Sequence, residues 1–145
     1  MQAGWRAALL ALLLCAVASC GDDEPTAPKP AELAGTWTAT KDEYVSKTTS
    51  ARVDIVAAGG AATLKLDAAG TFEFVETPSG EPPDTSRGDW SASGDVMTVH
   101  IVGQSGERQY DLYFSGNVLR LTGAGAWYDL GTGGEETTHN LELTR

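Results

Sequence analysis

Leu64-Lys65-Leu66-Asp67-Ala68-Ala69-Gly70-Thr71-Phe72-Glu73-Phe74-Val75 decides the fold. Leu64 and Leu66 alternate with Thr63, Lys65 and Asp67. Phe72 and Phe74 alternate with Thr71, Glu73 and Val75. A period of two sets each apolar pair on one face of a strand. Asp67-Ala68-Ala69-Gly70 between them reads as a turn, with the glycine supplying a positive φ. The stretch is a β-hairpin with one apolar face per strand. The same pattern runs outward. Met97, Val99 and Ile101 alternate with Val96, Thr98, His100 and Val102. Tyr110, Leu112 and Phe114 share a face, as do Leu119 and Leu121. Leu141 and Leu143 alternate with Asn140, Glu142 and Thr144. No window after residue 20 favours the helical period, and residues 27–34 have room for one helical turn at most.

Ser93-Gly94-Asp95-Val96-Met97 and Ser115-Gly116-Asn117-Val118-Leu119 echo one another 22 residues apart. Gly-Asp and Gly-Asn suit tight hairpin turns, so the echo spans two strands and two turns of a meander. The 114 residues from Glu32 to Arg145 contain no cysteine, so a closed core must hold them. Short sequential connections predict an all-β domain: an up-and-down antiparallel barrel of about eight to ten strands. A two-sheet sandwich is the competitor, and the lack of a long crossover disfavours its Greek-key form.

Composition excludes several classes of function. The chain has 145 residues with 20 acidic and 10 basic side chains, a formal net charge of −10. Phosphate binding needs clustered Lys and Arg, and none is present, so nucleic acid is not an expected partner. Both cysteines, Cys15 and Cys20, lie in the first 20 residues, which leaves the domain without a disulfide or a cysteine metal site.

Arg6 supplies one positive charge before an uncharged apolar run from Ala7 to Ala18. A spanning helix needs about 20 residues, so this run is short for a membrane span and suits a signal peptide. It ends in Val17-Ala18-Ser19-Cys20, which resembles the lipobox of bacterial lipoproteins. The resemblance implies a leader over residues 1–19, cleavage before Cys20, and acylation of the Cys20 thiol into membrane lipid. An ordinary secretory signal cut after a small residue is the alternative. Residues 20–31 follow as a Pro-rich, acidic tether, able to extend about 30 Å. Gly21 stands where an inner-membrane retention aspartate would, which favours an outer-membrane location in the envelope of a diderm source. Asp22-Asp23-Glu24 looks like the surface-export signal of some Bacteroidetes lipoproteins, or serves simply as solvated tether.

Leu33-Ala34-Gly35-Thr36-Trp37 resembles the Gly-x-Trp signature that opens lipocalins and their calycin relatives. Gly88-Asp89-Trp90-Ser91-Ala92-Ser93-Gly94-Asp95-Val96-Met97 and the closing Leu141-Glu142-Leu143-Thr144-Arg145 extend the likeness to bacterial lipocalin-like lipoproteins over residues 32–145. The resemblance implies a barrel base built from Gly35 and Trp37, with Arg145 packed across the indole. It also implies a small apolar or aromatic ligand inside the barrel. The Thr-Asp-Tyr motif of larger lipocalins is missing; Trp127-Tyr128-Asp129 does not match it. The competing function is a filled barrel working through its surface, as a protein-interaction or inhibitor module similar to bacterial metalloprotease inhibitors. A cavity of about 300 Å³ or more would favour the ligand, and a packed interior the second reading.

The remaining residues offer little chemistry. Gly103-Gln104-Ser105-Gly106 misses the nucleophile elbow, and Gly131-Thr132-Gly133-Gly134 lacks the lysine and helix of a phosphate loop. Glu135 and Glu136 read as solvated loop carboxylates. His100 and His139 are the only histidines, and Glu136 lies three residues before His139, on the opposite face of a strand. No enzyme activity, cofactor or metal is expected on this reading. Tyr113, Trp127 and Tyr128 are the candidate contact residues, for a ligand at the mouth or an envelope protein. Residues 77–87, with three prolines, read as the longest loop and a candidate lid.

Overall fold

A computed structural model describes residues 27–145. The leader, Cys20 and the acidic triplet after it lie outside the described residues. Helix α1 (Pro30–Leu33) precedes nine strands: β1 (Gly35–Ser46), β2 (Arg52–Asp54), β3 (Ala61–Leu66), β4 (Thr71–Thr77), β5 (Asp84–Ser93), β6 (Val96–Ile101), β7 (Arg108–Ser115), β8 (Val118–Asp129) and β9 (Gly134–Thr144). All neighbours are antiparallel, in the order β2-β1-β3-β4-β5-β6-β7-β8-β9, and β1 also pairs with β9. Eight strands, β1 and β3 to β9, therefore close an up-and-down barrel, and β2 is an extra strand on the upper half of β1.

The two ends differ. Hairpin turns 67–70, 94–95 and 116–117 gather with α1 and Arg145 at the base. Loops 47–51, 78–83, 102–107 and 130–133 gather at the mouth. The two halves of the sequence echo are the two-residue turns between Ser93 and Val96 and between Ser115 and Val118. Alternation lines the lower half with apolar side chains: Leu64, Leu66, Phe72, Met97, Leu119 and Leu143 are all buried in one cluster. Each such side chain contributes roughly 1.5–3 kcal/mol by leaving water.

Two bulges break the alternation, and both flank β9. In β1, Thr40 is the extra residue between Ala39 and Lys41. Trp37 and Ala39 point inward below it; Asp42, Tyr44 and Ser46 are buried above it. In β8, Thr122 and Gly123 together oppose Asn140. Gly123 takes φ +87°, and its N–H donates to the Asn140 side chain at 3.0 Å. Leu119 and Leu121 are buried below that point, and Ala124 above it. An extra residue exchanges the faces of all that follow.

Three boundaries differ from the sequence reading. Pro30 and Ala31, read as tether, start α1, which buries Leu33 completely beneath the barrel. The loop read over residues 77–87 shrinks to 78–83, because Asp84 to Arg87 pair with Glu76 to Glu73. Within that pairing Arg87 meets Glu73 at 2.6 Å. Glu135 and Glu136 belong to β9, and Glu135 accepts a hydrogen bond from the Ser46 hydroxyl.

Candidate functional site

The upper half of the barrel is not filled. A cavity of about 180 Å³ opens at the mouth, walled by Phe74, Tyr44, Tyr110, Tyr128 and Leu141, with Asp84, Gln104 and Arg108 toward solvent. It is smaller than the 300 Å³ at which drug-sized pockets begin, roughly, yet larger than a packed interior allows.

The cavity reaches down to an apolar floor of Leu64, Leu66, Phe72 and Met97, and one side of it near the mouth is polar. His139 and Thr137 follow Leu143 and Leu141 upward on the inward face of β9. Glu76 follows Phe72 and Phe74 on β4. Asp42 and Tyr44 come from β1 through its bulge. His139 Nε2 lies 2.8 Å from Asp42 Oδ1, and Nδ1 lies 2.8 Å from the Tyr110 hydroxyl. A carboxylate only accepts, so Nε2–H donates to Asp42, and Tyr110 donates to Nδ1. Tyr44 donates to Glu76 Oε2 at 2.7 Å. Its ring is sandwiched between Tyr128 at 3.9 Å and His139 at 4.4 Å, both nearly parallel. Phe74 and Tyr110 meet the imidazole edge-on. Asp42 is fully buried, and its Oδ2 has no hydrogen-bond partner.

Burial dominates the electrostatics of this group. It raises the Asp42 carboxyl to about 6, against a lowering by Glu76 and a further push from Asp54. It raises Glu76 to about 7, with the Asp42 charge adding to the rise. It lowers His139 to about 4, which keeps the imidazole neutral. The Tyr44 hydroxyl is raised far above the usual phenol range by burial and by Glu76. Tyr110 and Tyr128 are pushed up to about 12, again chiefly by burial.

Gly35, Trp37 and Arg145 meet at the base. The Trp37 indole is fully buried, and its N–H donates to the Leu33 carbonyl at 2.8 Å. Arg145 Cζ stands 4.4 Å from the indole centroid. Its two terminal nitrogens donate to the carbonyls of Ala34 and Glu32 at 3.1 and 3.0 Å. A side chain added at Gly35 would meet the same guanidinium.

The three contact candidates separate. Tyr128 lies within the cavity wall, and Trp127 sits at its rim, 68% exposed. Tyr113 is 53% exposed on the outer face near the base, under the Arg120 guanidinium at 5.3 Å. Arg120 and Trp127 are separated along β8 by about 23 Å at strand rise. Tyr113 therefore shares no site with the other two. His100 is exposed on the outer face, and Glu136 faces away from His139. The expectation of no metal site weighed His139 only against Glu136 and His100; the structure sets it beside Asp42 and Glu76 instead. Glu76 and His139 carried a readable signal, since each extends an apolar alternation by one step. Asp42 and Tyr44 carried none, because the bulge hides their face.

No family model matches this chain, and no curated protein or solved structure matches it.

Proposed function

We propose that this chain is a lipid-anchored, lipocalin-like envelope protein that binds one small amphipathic ligand in the mouth half of its barrel. The observation that carries the reading is the cavity of about 180 Å³ with aromatic walls, an apolar floor and one polar side. An apolar cavity of about 150 Å³ takes up benzene, so the space suits a single ring with a short substituent. The ring would lie against Phe74 and Tyr110, and its polar group would face Glu76 and His139. The volume of about 180 Å³ supports a small ligand over a long acyl chain. Acylated Cys20 would hold the barrel at the membrane, on the outer membrane in a diderm source, with the tether as spacer.

Binding is favoured over catalysis by what stands on the imidazole. A nucleophilic triad sets a serine or cysteine on one ring nitrogen; here that place is taken by Tyr110, whose hydroxyl is raised to about 12. Exposed Trp127 at the rim favours a second reading, a protein-interaction or inhibitor-type module. Native mass spectrometry of protein purified from its own envelope tests both. A co-purifying molecule of single-ring size is the expected result; a reproducible protein partner with an unoccupied barrel would replace the first reading by the second.

A further inference from the structure

Asp42, Glu76 and His139 each offer one ligand atom, and the three atoms lie within 4.8 Å of one another. All three residues are buried. Ligand atoms about 2.1 Å from a tetrahedral ion stand roughly 3.4 Å apart, so small side-chain movements would close the set. Asp42 Oδ2 supports the same site: with both carboxyls ionised it has no hydrogen-bond partner, and the Glu76 charge stands beside it. A buried carboxylate oxygen without a partner is costly, and an explanation is owed for it. A cation supplies one. Two further features are those of a metal's outer shell. Tyr110 holds the distal nitrogen of the imidazole, and Tyr44 holds one oxygen of Glu76. Such partners orient the ligands and fix the imidazole tautomer.

We propose that Asp42, Glu76 and His139 form a binding site for one first-row divalent cation, zinc ahead of the others. One nitrogen and two carboxylate oxygens suit zinc and its neighbours, whereas calcium takes six to eight oxygens, roughly, and magnesium keeps its waters. Binding replaces the proton on His139 Nε2 by the ion. The imidazole proton then resides on Nδ1 and is donated to Tyr110, whose hydroxyl hydrogen turns away. Glu76 and His139 both border the cavity, so a remaining coordination position faces it. The inference stands apart from the ring-sized ligand, since the ligand atoms are present whether or not the cavity is occupied.

The test is a titration of the whole purified protein, kept in detergent and stripped with a chelator, with zinc chloride. One zinc per chain is expected, with a raised Tm. Glu76→Gln and Asp42→Asn, which keep shape, should weaken zinc by about 100-fold or more, and His139→Ala should abolish the stoichiometric site. Tyr44→Phe should weaken it about 10-fold by releasing Glu76. His100→Ala, at the exposed histidine, should change nothing. Cobalt substitution adds a second readout: its visible bands should appear with the wild type and vanish with Glu76→Gln. Absence of saturable zinc binding to the wild type overturns the proposal. So does retention of full affinity and cobalt bands by Glu76→Gln and Asp42→Asn, both confirmed as folded by circular dichroism. A protein that co-purifies a ring-sized molecule yet takes no zinc would retain the ligand reading and remove this one.

Discussion

Arg145 joins three pieces of chain at the closed end. Its guanidinium covers the Trp37 ring and caps the carbonyls of Glu32 and Ala34, two residues around the end of α1. A partly desolvated cation–π contact contributes about 1–2 kcal/mol. Arg145→Ala is therefore expected to cost about 1–3 kcal/mol in urea unfolding, with the hydrogen bonds included. Arg145→Lys should recover only part, because an ammonium lacks the planar fork. The other residue-scale prediction concerns pH, for the metal-free chain. Glu76 is raised to about 7 and Asp42 to about 6, so the folded chain holds protons that the unfolded chain has released above pH 4.5. Stability from these two rises as pH falls through that window. His139, lowered to about 4 from 6.5, acts in the opposite sense, and its contribution is lost as pH falls. Arg108 reinforces that lowering. Two carboxyls outweigh one imidazole, so Tm should be higher near pH 5 than near pH 8, about, in chelator. Glu76→Gln should flatten the profile; an unchanged rise in that variant would show that the gain comes from elsewhere.

At the scale of elements, the two bulges divide what was legible from what was not. Below Thr40 and Gly123 the strands keep period two, and the apolar alternation of Leu64 to Phe74 or Leu141 to Leu143 reads the core directly. Above them β1 and β8 have changed face, while β9 between them has not. Strict alternation from Trp37 would turn Lys41 and Glu43 inward; the bulge turns Asp42 and Tyr44 inward instead. Glu43 is left to pair with Lys41 and Arg52 on the outer side. Deleting Thr40 should therefore move Tyr44 away from Tyr128 and His139. The near-ultraviolet dichroism of the stacked tyrosines should be lost, and stability should fall by several kcal/mol, since charges would enter the barrel. Close approach sets a further constraint at Gly88, between Phe72 and Ile101 in the sheet. A methyl there would collide with the His100 carbonyl oxygen and press on the Phe72 ring. Gly88→Ala is expected to destabilise by about 1–3 kcal/mol in a denaturant series.

For the molecule as a whole, the proposed anchor would be separable from the barrel. Cys20→Ala should release the protein from the membrane fraction while leaving the Tm of the barrel unchanged; retention on the membrane would rule out the acyl anchor. Sequence alone determined the parts that depend on neighbours along the chain: all-β character from period two, and the hairpins from Gly-Asp and Gly-Asn. Those signals are local because a strand's face and a turn's dihedrals are decided within a few residues. Only the tertiary structure decided closure, where Thr38 meets Thr144 across the length of the domain. It also decided the phase of β1 and β8, and with it the meeting of Asp42, Glu76 and His139. The cavity is tertiary in the strictest sense, being the volume that eight closed strands enclose less the volume their inward side chains fill, a difference that no single stretch of chain contains.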